Sequence, residues 1–201
     1  MILGITGAFG CGKSSVLAAF AARAWRTFDA DLLCHELYAE SGGVLAQKLA
    51  QRWGSDTLTA TGAVDRRKVG KIVFENSAEL EFLTGLIYPE LSRKLDELIA
   101  DCRQEHADGV FEIPLLYEVN YEKKFDCVAA IWAKANIRHD RLKAQRNFSD
   151  TEIRQREARQ LSADAKLERA SFALINNGGF HELELQVERL IWKLKRADGQ
   201  G

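Results

Sequence analysis

The chain has 201 residues, is 46% apolar and 28% charged, and carries a formal net charge of −1. These are ordinary values for a globular protein, and the near-neutral charge excludes a general attraction to nucleic acid or anionic membranes. No apolar run reaches the roughly 20 residues of a membrane span, and no basic stretch leads into an apolar one at the N-terminus, so neither a span nor a signal peptide is expected.

The first apolar run, ILGIT (2–6), reads as a strand. A glycine loop follows, and an alanine-rich helix is expected over 14–23. The short run WRTF (25–28) reads as the second strand, with a helix over 32–40. From 42 to 106 there is no strand signal. Helical stretches at 44–53, 65–74, 78–87 and 89–102 are separated by polar turns such as GSDTLTATG. GVFEI (109–113) and DCVAAIW (126–132) are the third and fourth strands, and a helix is expected over 136–146. An arginine-bearing helical segment covers 148–169, FALIN (172–176) is the fifth strand, and 180–195 forms the last helix. That helix puts Leu183, Val187, Leu190, Ile191 and Leu194 on one face. Residues 198–201 are expected to fray.

The apolar residues of these strands run on rather than alternate, as in a parallel sheet covered on both faces. Strand–helix alternation gives a doubly wound, three-layer α/β fold with a parallel five-stranded sheet. The expected organisation is a core of 1–41 and 107–201, with a lid at about 148–169, and a helical insertion at 42–106. Cys11, Cys34, Cys102 and Cys127 are scattered, with no CxxC pair, which fits a reducing cytoplasm. Cys11, inside the glycine loop, reads as a space-filling residue. His35, His106, His139 and His181 form no motif and read as surface or helix residues.

Gly7-x-x-x-x-Gly12-Lys13-Ser14 matches the phosphate-loop pattern GxxxxGK[ST], placed between a strand and a helix as that pattern requires. Glycines permit left-handed backbone, so successive N–H groups of the loop can converge on one anion. Lys13 can reach the β and γ phosphates, and the Ser14 hydroxyl can ligate Mg²⁺. No NKxD guanine reader occurs, and Phe111-Glu112 is a poor version of an ATPase metal strand. The short chain, the helical insertion and the arginine-rich segment favour a small-molecule kinase of the P-loop type with a lid that excludes water. Mixed charge and the lack of interleaved aromatics argue against nucleic acid for that segment, most of whose residues read as a solvated face.

The second strand runs into Asp29-Ala30-Asp31, at the rim where parallel α/β sheets bind ligands. Either acid can accept a hydroxyl proton or hold a water on Mg²⁺, and Asp29 also suits a helix N-cap.

The glycine loop followed by Asp-Ala-Asp resembles the dephospho-coenzyme A kinase family over nearly the whole chain. Further elements in the same order are Trp53-Gly54, Gly62-Ala63-Val64-Asp65-Arg66, Leu86-Ile87-Tyr88-Pro89, Ile113-Pro114-Leu115-Leu116-Tyr117-Glu118 and Asn176-Asn177-Gly178. The chain departs from the family pattern at Gly7-Ala8-Phe9, at Tyr88 in place of a histidine, and at Ser171-Phe172 in place of Ala-Asp. The resemblance implies ATP- and Mg²⁺-dependent phosphorylation of the ribose 3′-hydroxyl of dephospho-CoA by a cytoplasmic monomer. It makes Asp31 the base, with Lys13 and Arg138 catalytic. It has Gly10, Cys11, Gly12, Lys13, Ser14 and Ser15 hold the ATP phosphates, and it places Asn177 near adenine and Arg66, Leu115, Leu116 and Glu118 toward the acceptor. Arg141, Arg146 and Arg156 would supply lid charge. A nucleoside monophosphate or other metabolite kinase, and a non-catalytic nucleotide-binding regulator, are the alternatives.

Overall fold

In the computed structural model, which describes residues 1–197, the first strand, β1 (Ile2–Gly7), is buried at every position. The expected frayed segment at 198–201 lies outside the described residues. Contacts divide the chain into two compact units, Met1–Asp29 with Ile99–Gly201, and Ala30–Leu98.

In the first unit, β1 is joined by β2 (Arg26–Asp29), β3 (Gly109–Glu112), β4 (Cys127–Trp132) and β5 (Phe172–Ile175). The order is β2-β3-β1-β4-β5, and each neighbouring pair is parallel. Apolar side chains cover both faces of the central strands, which is why their sequence runs on rather than alternates. On one face lie α1 (Lys13–Ala21) and α9 (Phe180–Ala197), whose Val16, Phe20, Leu183, Val187, Leu190 and Leu194 pack on Leu3, Ile5, Val110, Ala129 and Ile131. Each such aliphatic side chain contributes about 1.5–3 kcal/mol by leaving water. On the other face Phe111 stacks on Phe28 with centroids 4.5 Å apart and tilts against Phe125 at 5.5 Å. This unit also holds α6 (Ala135–Arg146), α7 (Asp150–Glu157) and α8 (Ala163–Arg169). The single helical segment expected at 148–169 is thus two helices with a break at 158–162.

The second unit holds α2 (Ala30–Ala39), α3 (Val44–Trp53), α4 (Arg66–Glu75) and most of α5 (Ser77–Gln104). α2 belongs with the insertion because it packs on α3 and its Tyr38 carbonyl accepts from Val64 N at 2.9 Å. Two helices were expected across 78–102, parted before Pro89; one continuous helix is present, with Pro89 inside it. An interior proline costs about 3 kcal/mol. The stripe Leu83, Ile87, Leu91, Leu95, Ile99 and Cys102 is buried along the whole helix and offsets that cost.

Candidate active site

β1 ends at Gly7 and α1 starts at Lys13, so the loop between them lies at the carboxyl edge of the sheet. Gly10 has φ 79° and Gly12 φ 92°, left-handed values that strain any side-chain-bearing residue. Space forbids one as well. A Cβ on Gly12 would collide with the Asn176 amide, and one on Gly10 would sit 2.9 Å from the Leu142 side chain. No side chain caps α1 at Gly12, and Ser15 N donates to the Gly12 carbonyl at 3.1 Å, so the positive end of the helix faces the glycine loop. Asn176 Nδ2 donates to the Cys11 carbonyl at 2.9 Å and holds the loop from the end of β5. Lys13 is 9% exposed, and its ammonium donates to the Gly7 and Ala8 carbonyls at 3.2 and 3.5 Å. Ser14 is exposed and Ser15 half-buried. Cys11 is fully buried, and that burial pushes its thiol above the usual range, which suits a space-filling role.

The loop lies against α6. Arg138, 7% exposed, donates from Nε to the Ala133 carbonyl at 3.2 Å and from Nη1 to the Phe9 carbonyl at 2.9 Å. Nη1 also meets the Glu157 carboxylate at the end of α7. The other oxygen of Glu157 is 3.1 Å from His139 Nε2, so this histidine, read from sequence as having no part in a motif, belongs to the cluster. Arg141 donates to the Asn176 carbonyl at 3.0 Å, to its side-chain oxygen at 3.3 Å and to the Gly178 carbonyl at 3.2 Å. Asn177 Oδ1 accepts from Lys134 N at 2.9 Å. Arg141 therefore shapes the Asn-Asn-Gly loop, and both it and the exposed Arg146 lie on α6, outside the 148–169 segment. Arg156 is on α7, within the 148–169 segment. Its guanidinium lies 5.4 Å from the Phe9 ring and 4.8 Å from Phe148, and the two rings meet edge-on at 5.3 Å. Ala8, Phe9, Arg138, Glu157 and Gln160 help line a cleft of about 340 Å³.

The turn after β3 carries the residues expected at the acceptor. Leu116 is fully buried, whereas Pro114, Leu115 and Glu118 are half-buried. Glu118 Oε1 accepts from Leu161 N at 2.7 Å and from Lys166 Nζ at 2.9 Å, while its Oε2 is buried without a protein hydrogen-bond partner. Lys166 also donates to the Pro114 carbonyl, which accepts from Thr6 Oγ1 at 3.3 Å as well. Desolvation pushes the Lys166 ammonium below its usual range, against the pull of Glu118. Sequence reasoning missed Lys166. Its only signal was to be a lysine among arginines in the segment 148–169, and nothing in the spacing pointed it inward.

At the carboxyl edge of β2, Asp29 is in register with Glu112, and Glu112 with Ile5. Two acids therefore end adjacent strands on the edge from which the glycine loop springs. Asp31 is exposed in the first turn of α2 and belongs to the second unit. In that unit Asp65 caps α4 by accepting from Arg67 N at 3.0 Å and Lys68 N at 3.2 Å. The cap presents exposed Arg66, whose guanidinium lies 5.8 Å from the Tyr38 ring. Burial raises that phenol to about 12.

A family model described as dephospho-CoA kinase matches residues 1–182. A dephospho-CoA kinase of Enterococcus faecalis is 32% identical over 188 residues, covering 94% of each chain. The crystal structure of TT1252 from Thermus thermophilus aligns with a TM-score of 0.78 at 28% identity, over 96% of this chain and 97% of that one. Dephospho-CoA kinase from Campylobacter jejuni shares the fold, with a TM-score of 0.76 at 20% identity over 98% of both chains.

Proposed function

The chain belongs to the dephospho-CoA kinase family, and we propose how its own residues divide the work of that reaction. The reaction is ATP-dependent phosphorylation of dephospho-CoA, the last step of coenzyme A synthesis. The observation that carries the site assignment is the pair of left-handed glycines beside a buried Lys13 at an uncapped helix start. Those features suit a triphosphate and no neutral ligand.

On this reading the N–H groups from Gly10 to Ser15 cradle the phosphates. Lys13 exchanges the Gly7 and Ala8 carbonyls for phosphate oxygens, a stronger charge-assisted contact. Asn177 and the loop shaped by Arg141 take the adenine side. Arg138 and Arg156 neutralise the moving phosphoryl group, and closure of 148–169 keeps water from it. Asp31 accepts the 3′-hydroxyl proton as that oxygen attacks the γ-phosphorus and ADP leaves. Arg66 binds acceptor phosphate, which its guanidinium can grip at two points. Leu115 offers the acceptor an apolar surface, and Glu118, bound to Leu161 N and Lys166 with its Oε2 buried, fixes the turn that faces the acceptor. Leu116, fully buried, supports that turn from beneath.

Mg²⁺ prefers hard oxygen ligands and keeps several waters, so the exposed Ser14 hydroxyl suits it. When bound it supplies charge neutralisation along the phosphates. We place the enzyme in the cytoplasm as a monomer; among the described residues no helix is long and apolar enough to cross a membrane.

A coupled assay of ADP release tests the acceptor, using dephospho-CoA, AMP, CMP, dTMP, shikimate and buffer alone. The reading expects dephospho-CoA to be preferred and the product to carry a 3′-phosphate. Preference for AMP or CMP would replace it with a nucleoside monophosphate kinase.

A further inference from the structure

Lys166 is a lysine with no solvent exposure in a segment otherwise rich in exposed arginines. Its ammonium bonds two groups of one turn, the Pro114 carbonyl and the Glu118 carboxylate. Glu118 in turn accepts from Leu161 N at 2.7 Å, in the break between α7 and α8. The Pro114 carbonyl is shared with Thr6, the residue before the first glycine of the phosphate loop, at 3.3 Å. One buried node therefore ties three parts of the first unit together: the start of the phosphate loop, the turn after β3 and the foot of the lid.

The two lid helices are held differently. α8 is fixed around Lys166 by Trp132 Nε1 donating to Asp164 at 2.7 Å and by Arg169 bonding Glu122 at 3.0 Å. Arg169 also lies 4.3 Å from the Tyr117 ring. α7 is held by Arg156 on Phe9 and Phe148 and by Glu157 on Arg138 and His139. Those are contacts that incoming phosphate charge competes for. α8 is thus tied to β4 and to the stretch after the β3 turn, and α7 to the phosphate loop and α6.

We propose that Lys166 is a positioning residue for phosphoryl transfer: it locks the turn after β3 and the lid's fixed foot against the strand that delivers the phosphate loop. The proposal rests on the kinase reading above. A buried ion pair seldom stabilises a fold more than apolar residues of the same volume, so stability is a weak reason for this charge to be here. Its contribution is geometric. Phosphoryl transfer in a closed site depends on ångström-scale placement of the lid and turn, and their displacement slows transfer and admits water.

The test uses the full-length protein with Lys166→Met combined with Glu118→Gln, which removes both charges while keeping an acceptor for Leu161 N. Glu118→Gln alone is the second, shape-conserving variant. Three quantities are read: kcat for dephospho-CoA, the Kd of ATP, and the ratio of ADP released to CoA formed. The expected result for the double variant is a kcat lower by roughly 10- to 100-fold, as for a misplaced reacting group, with the Kd of ATP changed by less than about threefold. The ratio should rise above that of the wild type, because water gains access. Glu118→Gln should show the same pattern more weakly, and it decides the matter if the double variant fails to fold. Wild-type kcat and ratio in a folded variant would overturn the proposal. So would a loss of kcat matched by an equal loss of ATP affinity with the ratio unchanged, which is the mark of a structural role. If wild-type enzyme used a different acceptor, the kinase reading would be revised, and the same ratio with that acceptor would still decide Lys166.

Discussion

Glu157, the last residue of α7, pairs with the buried Arg138 of α6 through one oxygen and with His139 at 3.1 Å through the other. Arg138 is the arginine we propose for the moving phosphoryl group, so α7 itself supplies the anion that this guanidinium holds. A phosphate must displace that carboxylate before it can use the same donors. Glu157→Gln keeps the shape and removes the competing charge. ATP should then bind about 3- to 10-fold more tightly, in line with the strength of one charge-assisted bond relative to a neutral one. Calorimetric titration of ATP into wild type and variant reads this directly. Weaker binding in the variant would mean that Glu157 helps the nucleotide site instead.

Phe9 is a second link to the 148–169 segment. Its edge contact with Phe148 at 5.3 Å and its place under Arg156 at 5.4 Å link the phosphate loop to α7. Phe9→Ala should loosen α7 by about 1–2 kcal/mol, the combined scale of an aromatic pair and an exposed cation–π contact. Hydrogen exchange over 150–157 should speed up accordingly, with α8 unchanged. Equal loss of protection in both helices would show that the lid moves as one piece.

Cys11 gives a prediction about reactivity. Burial raises its thiol pKa, so at pH 8 the thiolate, which is the reactive form, is scarcer than in an ordinary cysteine. The direction of the shift therefore protects the residue, and the protection fades only as pH rises toward the elevated value. Iodoacetamide labelling followed by mass spectrometry should find the half-buried Cys34 modified well before Cys11. Labelling of Cys11 at the rate of Cys34 in native protein would contradict the space-filling role.

The strands could be read from the sequence because a parallel sheet buried on both faces leaves unbroken apolar runs. Even the short β2 appeared, displaced by one residue, to Arg26–Asp29. The glycine loop was legible because left-handed backbone and close approach demand glycine there. The continuity of α5 was not. Proline is a local break signal, whereas the stripe from Leu83 to Cys102 that overrides it acts along the whole helix. Charged residues were the hardest to place. Arg141 and Arg156 look alike in the sequence, yet one braces the Asn-Asn-Gly loop and the other rests on aromatics. Lys166 and Glu157 gave no spacing signal, since their partners Glu118 and Arg138 lie on other elements.

The claim on which the account turns is that a carboxylate at position 31 takes the acceptor's proton while a separate loop holds ATP. Asp31→Asn keeps the side chain's size and removes its basicity. Single-turnover phosphorylation of dephospho-CoA should slow by roughly 10²- to 10⁴-fold, the usual contribution of a positioned base, while ATP affinity stays close to that of wild type. A folded Asp31→Asn enzyme that transfers phosphate at the wild-type rate, or that loses ATP binding instead, would contradict the account.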